Sequence, residues 1–335
     1  MVERSIEPGR RPLRRRVLGV TRALSPLPPS SSNRVASDGI GPSVTAFFPP
    51  RFFGKTGLMV GRLGLGSSYG LPGREVERAF DHGVNFFLWG SRRRRDFGLG
   101  VRNLARTNRE DIVVAVQTYT RMASLMEWSV DRALRSLRTD YVDVLCLAWW
   151  NGPTPRRIVD AALELRAKGK VRSLMVSCHH RPTFETFIAD PSFDALMLRY
   201  NAAHPGADRE VFPLLGGPNR PGVVGFTATR WGTLLDPRLV PSTEPAPRAS
   251  DCYRFAMTNP YVDVTLTGPK NAAELDEALC ALARGPMDQA ELAWMRRVGA
   301  HVRDATAKPK RVGLLDLVDR VATSSLCKPK ELPGG

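Results

Sequence analysis

The sequence lacks the patterns that mark a metal site, a disulfide framework or a membrane span. Its five cysteines are scattered and form no C-x-x-C pair, and its five histidines show no H-E-x-x-H spacing. No uninterrupted apolar run approaches the roughly 18 residues that a transmembrane helix needs. We therefore expect neither a metal site nor a membrane protein, and we predict free thiols in a reducing cytoplasm.

Acidic residues are scarce, 33 against 49 basic residues, and the net charge is +16. Such a balance raises nucleic acid as a partner. The excess is not gathered in one place, however, because +6 lies in residues 1–52, +3 lies in residues 303–335, and the rest is spread between them. No basic stripe interleaved with aromatic residues and no known nucleic-acid-binding module is evident. The sequence predicts a small-molecule substrate, and neither nucleic acid nor a membrane as a partner.

Both ends of the chain lack a sustained hydrophobic period. Residues 1–52 carry the run Arg14, Arg15, Arg16 and a Pro/Ser-rich stretch at 25–32. Such a segment cannot bury enough surface to offset the entropy of ordering it. We predict a disordered basic extension at 1–52, or a start codon placed too far upstream, in preference to a transit peptide. A tail at 304–335 follows the central part, with one helix predicted at 312–321.

Between these ends, residues 53–303 alternate short apolar strands with helical patterns. The strands are predicted at 63–65, 85–89, 112–118, 142–148, 171–178, 195–200, 223–227 and 262–267. Strands that are nearly continuous in apolar residues are buried on both faces, as in a parallel sheet. Eight strand–helix units predict a single-domain α/β protein with a (β/α)₈ TIM-barrel fold. A doubly wound sheet is disfavoured, because residues 64–68 (GLGSS) do not match the glycine fingerprint of that fold.

Five stretches, in chain order along the barrel units, resemble the aldo-keto reductases. They are 54–58 (GKTGL) leading into 63–66 (LGLG), 83–87 (GVNFF), 134–145 (LRSLRTDYVDVL), 169–172 (GKVR) leading into Val176 and Ser177, and 267–271 (TGPKN). The resemblance implies hydride transfer from NADPH to a carbonyl at the C-terminal mouth of the barrel. It also implies an N-terminal β-hairpin, formed around residues 54–58, that plugs the opposite end.

The resemblance further implies a catalytic tetrad of Asp, Tyr, Lys and His, and this chain has none of the four. The corresponding positions hold Leu88, Arg93, Gln117 and Ala148. A forming alkoxide needs a proton donor within hydrogen-bond reach, and an arginine, whose pKa lies above about 12, is a poor one. Since barrel active sites lie at the strand ends, we predict Arg93, Tyr119 and His179 as catalytic residues. Arg93 would favour an anionic ligand.

Cofactor residues are also assigned by the resemblance. They are Ser177, Phe226, Thr227, Gly268, Lys270, Asn271 and Glu274. A helix N-terminus with a glycine and with Lys270 for a 2′-phosphate predicts NADP(H); an ordinary N-capped helix is the alternative interpretation. Where the family holds the nicotinamide with Asn and Gln, this chain has Cys178 and Met197.

Three tryptophans follow strands at the predicted mouth. Trp89, Trp149 and Trp231 predict an aromatic-walled substrate pocket, in which Asn151 supplies a hydrogen-bonding group. We therefore predict an aldo-keto-reductase-like oxidoreductase that uses NADP(H) on a carbonyl or alcohol through a non-standard active site. Two alternatives stay open. One is a catalytically inactive pseudoenzyme that binds NADP(H) or another anionic ligand, and the other is a non-redox enzyme acting through His179 or His180.

Overall fold

The computed structural model describes residues 48–90 and 95–307. The chain opens with a short antiparallel hairpin, β1 (Arg51–Phe52) and β2 (Met59–Val60). Its connection carries Phe53, which is fully buried against the ring of Phe86, with 5.7 Å between the ring centroids. The predicted hairpin is confirmed.

Eight parallel strands follow and close into a barrel in chain order. They are β3 (Leu63–Gly66), β4 (Phe86–Trp89), β5 (Val113–Thr118), β6 (Val142–Leu147), β7 (Val171–Cys178), β8 (Ala195–Arg199), β9 (Gly222–Phe226) and β10 (Val264–Thr267). The last strand pairs with the first, Thr265 opposite Leu63, and this pairing completes the barrel. The predicted (β/α)₈ fold is confirmed, and each strand lies within two residues of its predicted bounds at either end.

Helices lie between the strands and after the last one. They are α1 (Gly73–Asp81), α2 (Arg95–Thr107), α3 (Met126–Leu137), α4 (Arg156–Ala167), α5 (Phe184–Ala189), α6 (Ala207–Glu210), α7 (Ala249–Thr258), α8 (Ala272–Arg284) and α9 (Gln289–Ala305). Sequence patterning did not predict α9. It begins with a capping box, in which Asp288 and Glu291 each accept a backbone N–H from the other, and it buries Met295, Val298 and Val302.

The core has two layers because successive strand residues point to opposite faces. An inner layer fills the barrel and contains Leu88, Ala115, Cys146, Met197 and Leu266. An outer layer lies between the strands and the helices, and Trp89 and Cys178 belong to it. The direction in which a strand residue points therefore decides whether it reaches the mouth.

The described structure extends past the predicted domain boundaries. Phe48 is buried under the guanidinium of Arg62, and Arg51–Phe52 form β1, although residues up to 52 were assigned to the extension. At the other end α9 continues to Ala305. The rest of the predicted extension, the helix predicted at 312–321, Arg93 and Cys327 lie outside the described residues. Within those residues, no helix is long and apolar enough to cross a membrane.

Candidate active site

Three of the four positions that the resemblance assigns to the tetrad face the barrel interior at the mouth. Leu88 belongs to the inner layer, and strand alternation from Ala115 and Cys146 places Gln117 and Ala148 there as well. Leu88 and Ala148 are buried. The fourth position, Arg93, lies outside the described residues. No carboxylate, ammonium or imidazole reaches the mouth from the three described positions.

A different set of side chains comes together on the other side of the mouth. His179 follows β7, and its Nδ1 lies 3.1 Å from Nη2 of Arg199, the last residue of β8. The His179 ring packs edge-on against Phe226 and Trp149, with ring centroids 5.4 and 5.8 Å apart. The guanidinium of Arg199 lies 5.2 Å from the ring centroid of Trp231. We refer to these five residues as the mouth cluster.

Arg199 fixes the protonation of His179. A guanidinium only donates hydrogen bonds, so Nδ1 of His179 must accept, and the neutral ring carries its proton on Nε2. Burial lowers the pKa of His179, and the positive charge of Arg199 lowers it further. At neutral pH, His179 is therefore a neutral imidazole with Nε2–H as its donor.

Arg199 itself is an incompletely satisfied donor. Burial lowers its pKa, and the charges of Arg230 and Arg181 add to the effect. Its Nε is buried and has no hydrogen-bond partner within residues 48–90 and 95–307. A buried polar group without a partner costs about 1–3 kcal/mol, more if it is charged. An acceptor or an anion at the mouth would relieve that cost.

The loops that carry the mouth cluster hold unfavourable backbone conformations. Four non-glycine residues there have left-handed φ values: Trp149 (60°), Thr227 (57°), Arg230 (51°) and Trp231 (53°). Such residues cost of order 1–3 kcal/mol each and concentrate at active sites and ligand clamps. Hydrogen bonds hold them in place, since Asn201 Nδ2 donates to Thr227 O over 2.8 Å and Arg121 Nη2 donates to Trp149 O over 2.8 Å.

Ser177 and Asn151 support this arrangement from beneath. The hydroxyl oxygen of Ser177 accepts the backbone N–H of Trp149 over 2.8 Å, and Asn151 Oδ1 accepts that of His179 over 2.9 Å. His180 is tied instead to Thr183, with 2.9 Å between Nδ1 and Oγ1. Ser177 was predicted to bind the cofactor and Asn151 the substrate; in this structure both residues hold the mouth cluster in position.

Tyr119 lies at the rim, 54% exposed. Burial of the remainder raises the pKa of its phenol, and neighbouring Cys146 raises it further. Burial also raises the pKa of Cys146 to about 12, so this thiol is not a nucleophile. Tyr119 is therefore a weaker acid than a free tyrosine.

The residues predicted to bind phosphate lie together at the start of α8. Asn271 caps the helix by accepting the N–H of Glu274 over 2.9 Å, and the Glu274 carboxylate accepts the N–H of Lys270 over 3.0 Å. The Lys270 side chain is exposed. The Tyr69 ring covers Gly268, since a Cβ at Gly268 would lie 2.3 Å from Tyr69 Cδ2. Gly268 therefore makes room for Tyr69.

Trp89 does not join Trp149 and Trp231. It is the residue after the inward-facing Leu88, so it points outward into the layer beneath α2.

Arg199 is the member of the mouth cluster that sequence reasoning missed. The available signal was a charged residue at the end of the otherwise apolar strand Ala195–Arg199.

No group of three or more His, Cys, Asp or Glu side chains within the described ranges could hold a metal ion. The mouth cluster offers three things to a ligand: hydrogen-bond donors, positive charge and aromatic faces.

Comparison with known proteins gives one family and one fold. Residues 74–235 match the model of the Aldo/keto reductase family. The chain is similar to an aldo-keto reductase from Bacillus halodurans in its holo form, with 18% identity, a TM-score of 0.63, and coverage of 79% of this chain and 99% of that one. It is also similar to an aldo/keto reductase from Klebsiella pneumoniae in complex with NADP and acetate, with 20% identity, a TM-score of 0.61, and coverage of 77% and 95%. A Klebsiella pneumoniae aldo-keto reductase in complex with NADPH matches at 19% identity with a TM-score of 0.60, over 78% of this chain and 96% of that one. At these identities the structural likeness shows the fold.

Proposed function

Because this chain belongs to the aldo/keto reductase family, we propose that it is an oxidoreductase that binds NADP(H) and interconverts a carbonyl and an alcohol through a non-standard active site. The observation that carries the proposal is the pairing of His179 with Arg199 at the mouth, 3.1 Å apart and beside Phe226. It places a directed N–H donor and a positive charge where this fold carries out its chemistry.

Several residues are suited to binding NADP(H). Phe226 presents an aromatic ring at the mouth, and Arg199 Nε lacks an acceptor among the described residues. Lys270 is exposed at the start of α8, with its Nζ 3.9 Å from the Glu274 carboxylate. Phe226 would stack on the nicotinamide, and Lys270 would pair with the 2′-phosphate. When bound, the cofactor supplies a hydride.

The chain's own residues would stabilise charge on the substrate oxygen. His179 Nε2–H donates to the developing oxyanion, and Arg199 lowers the energy of that charge through its own. A neutral imidazole is a poor source of a proton, so the proton comes from Tyr119 or from water. Trp149 and Trp231 wall the substrate, and Arg93 is the other predicted catalytic group. We place the reaction in the cytoplasm, where the thiols stay reduced.

Turnover of the purified protein tests this proposal. NADPH oxidation is measured over a panel of aldehydes, ketones and quinones, for the wild type, His179→Ala and the surface control His301→Ala. Loss of one oxyanion donor should lower kcat about 10²–10³-fold in His179→Ala, and His301→Ala should match the wild type. The proposal fails if the wild type oxidises NADPH with none of the substrates, or if His179→Ala is fully active.

A catalytically inactive pseudoenzyme is the second candidate, and it rests on a separate observation. Leu88 and Ala148 are buried apolar side chains at positions where the family has a carboxylate and an imidazole. The discriminating experiment restores the tetrad with Leu88→Asp, Arg93→Tyr, Gln117→Lys and Ala148→His. Turnover that appears only in the restored variant favours the pseudoenzyme, and turnover already present in the wild type rejects it.

A further inference from the structure

A second concave site lies on the outside of the barrel, between α2 and α3. It is a groove of about 830 Å³, within the range of small-molecule sites. Its lining comes from the facing sides of these two helices and from Trp89, and it includes none of the mouth cluster. We call it the basic groove.

Positive charge dominates the basic groove. Five arginines and one aspartate line it, a formal charge of +4; the arginines are Arg95, Arg102, Arg132, Arg135 and Arg138. None of them forms a salt bridge with a carboxylate of the described ranges, although most arginines elsewhere in the barrel are paired. The aspartate, Asp96, accepts the N–H of Gly73 over 3.1 Å. The groove therefore carries charge that the described fold does not neutralise.

The helical spacing turns these arginines toward one another. Arg132 and Arg135 lie one turn apart on the same face of α3, and Arg138, the left-handed residue that ends this helix, also lines the groove. Arg95 and Arg102 lie two turns apart on α2, about 10 Å along the axis. Guanidinium groups bind phosphate through paired N–H donors, so the two rows suit a ligand with more than one phosphate.

Aromatic surface accompanies the charge. Trp128 is 54% exposed in the groove, and Arg132 lies over its ring at 5.0 Å. An exposed indole among arginines is the combination on which nucleotide bases stack. Leu99, also exposed, adds apolar surface on the α2 side.

A buried donor without a partner provides independent support. Trp89 lines the groove, is only 6% exposed, and its Nε1 has no acceptor among residues 48–90 and 95–307. Gly98 lets α2 approach this nitrogen closely, since a Cβ there would lie 2.9 Å from Nε1. A buried indole N–H normally has a partner, so this one is an unsatisfied donor in the wall of the groove.

We propose that the basic groove binds a nucleoside di- or triphosphate, with its phosphates on the arginines and its base on Trp128. The bounded volume favours a mononucleotide over a nucleic-acid strand. This site is separate from the mouth, and the proposal does not depend on the redox activity.

The test is a calorimetric titration of the full-length protein with ADP, inorganic pyrophosphate, adenosine and a 12-nucleotide single-stranded DNA. It is run at about 0.15 M salt, where charges beyond about 8 Å are screened. Arg102→Glu is compared with Arg157→Glu, which makes the same charge change on the exposed surface of α4 and outside the lining. We expect Arg102→Glu to weaken ADP binding at least about tenfold, and Arg157→Glu to leave it within about twofold of the wild type.

Further variants identify the source of binding. Trp128→Ala should remove the advantage of ADP over pyrophosphate, and Trp128→Phe should restore part of it. Absence of ADP binding, equal weakening by Arg102→Glu and Arg157→Glu, or Arg102-dependent binding of the oligonucleotide without binding of ADP would each overturn the proposal.

Discussion

At the scale of single residues, the chemistry that we propose for the mouth depends on how one arginine controls the protonation of one histidine. Arg199 donates to His179 Nδ1 and contributes to its lowered pKa, so the ring stays neutral with Nε2–H available. Tyr119 cannot take the role of the family's activated tyrosine in the same way, because burial and Cys146 both raise its pKa. Electrostatic stabilisation of an oxyanion is thus better supported than proton donation in the mechanism that we propose.

Replacing Arg199 by alanine should raise the pKa of His179 toward its ordinary value. The substitution removes a positive charge next to the ring and also opens the site to water, and both changes favour the imidazolium form. The measurement is a pH titration of the His179 ring by NMR in the wild type, Arg199→Ala and Arg199→Lys. Arg199→Lys should stay nearer the wild type, and an unchanged or lower His179 pKa in Arg199→Ala would contradict this account.

His204 should make the fold less stable in mild acid. Burial, followed by the charges of Arg199 and Arg230, lowers its pKa to about 4, against about 6.5 in an unfolded chain. Between these values the unfolded state binds more protons, so stability falls as the pH falls through that window. Allowing for partial solvent screening, wild type should lose about 1 kcal/mol more than His204→Asn between pH 7 and pH 5. Urea unfolding at the two pH values measures this, and equal losses would refute it.

The sequence predicted most of the mouth cluster because its members follow strands, and strand order in a barrel brings their ends together. His179, Trp149, Phe226 and Trp231 were placed in this way. Arg199 was missed because its strand is apolar apart from this final residue. Trp89 was misplaced because one residue along a strand reverses the direction of the side chain.

At the scale of elements, strands were easier to predict than helices. Parallel strands buried on both faces produce continuous apolar runs, and these runs mark β5 to β8 with little ambiguity. The helix α9 lies after the last barrel unit, so the strand–helix alternation gave no reason to expect it. The two residues of its capping box, Asp288 and Glu291, form a pattern that can be recognised in the sequence.

The start of α8 offers a test of local capping. Asn271 Oδ1 satisfies the N–H of Glu274, so Asn271→Ala should lower the free energy of unfolding by about 1 kcal/mol. Asn271→Asp should be close to neutral, because aspartate caps equally well. Urea denaturation of the cofactor-free protein measures both, and equal stability of Asn271→Ala and wild type would show that this cap contributes nothing.

At the scale of the whole molecule, the hairpin closes one end of the barrel and the mouth cluster lies at the other. Phe53 fills the closed end against Phe86, and Gly222 provides the room for it, since a Cβ there would lie 2.5 Å from the ring. The buried hairpin side chain therefore links the N-terminal segment to strands that lie far away in sequence.

Phe53→Ala should lower the free energy of unfolding by about 3–5 kcal/mol through loss of burial and creation of a cavity. The adjacent Phe52 is 64% exposed, so Phe52→Ala should change it by no more than about 0.5 kcal/mol. Thermal or urea unfolding of the two variants gives the comparison. Similar effects of both substitutions would mean that the hairpin does not seal the barrel.

We propose that the mouth of this barrel binds NADP(H) although Leu88, Gln117 and Ala148 occupy positions that the resemblance assigns to the tetrad. The most direct measurement is a titration of NADPH into the purified protein, following the quenching of tryptophan fluorescence, with Lys270→Ala and Lys55→Ala as a matched pair. Lys55 lies in the hairpin at the closed end. The account predicts saturable binding that Lys270→Ala weakens about tenfold and Lys55→Ala leaves unchanged. No saturable binding, or equal binding by both variants and the wild type, would contradict it.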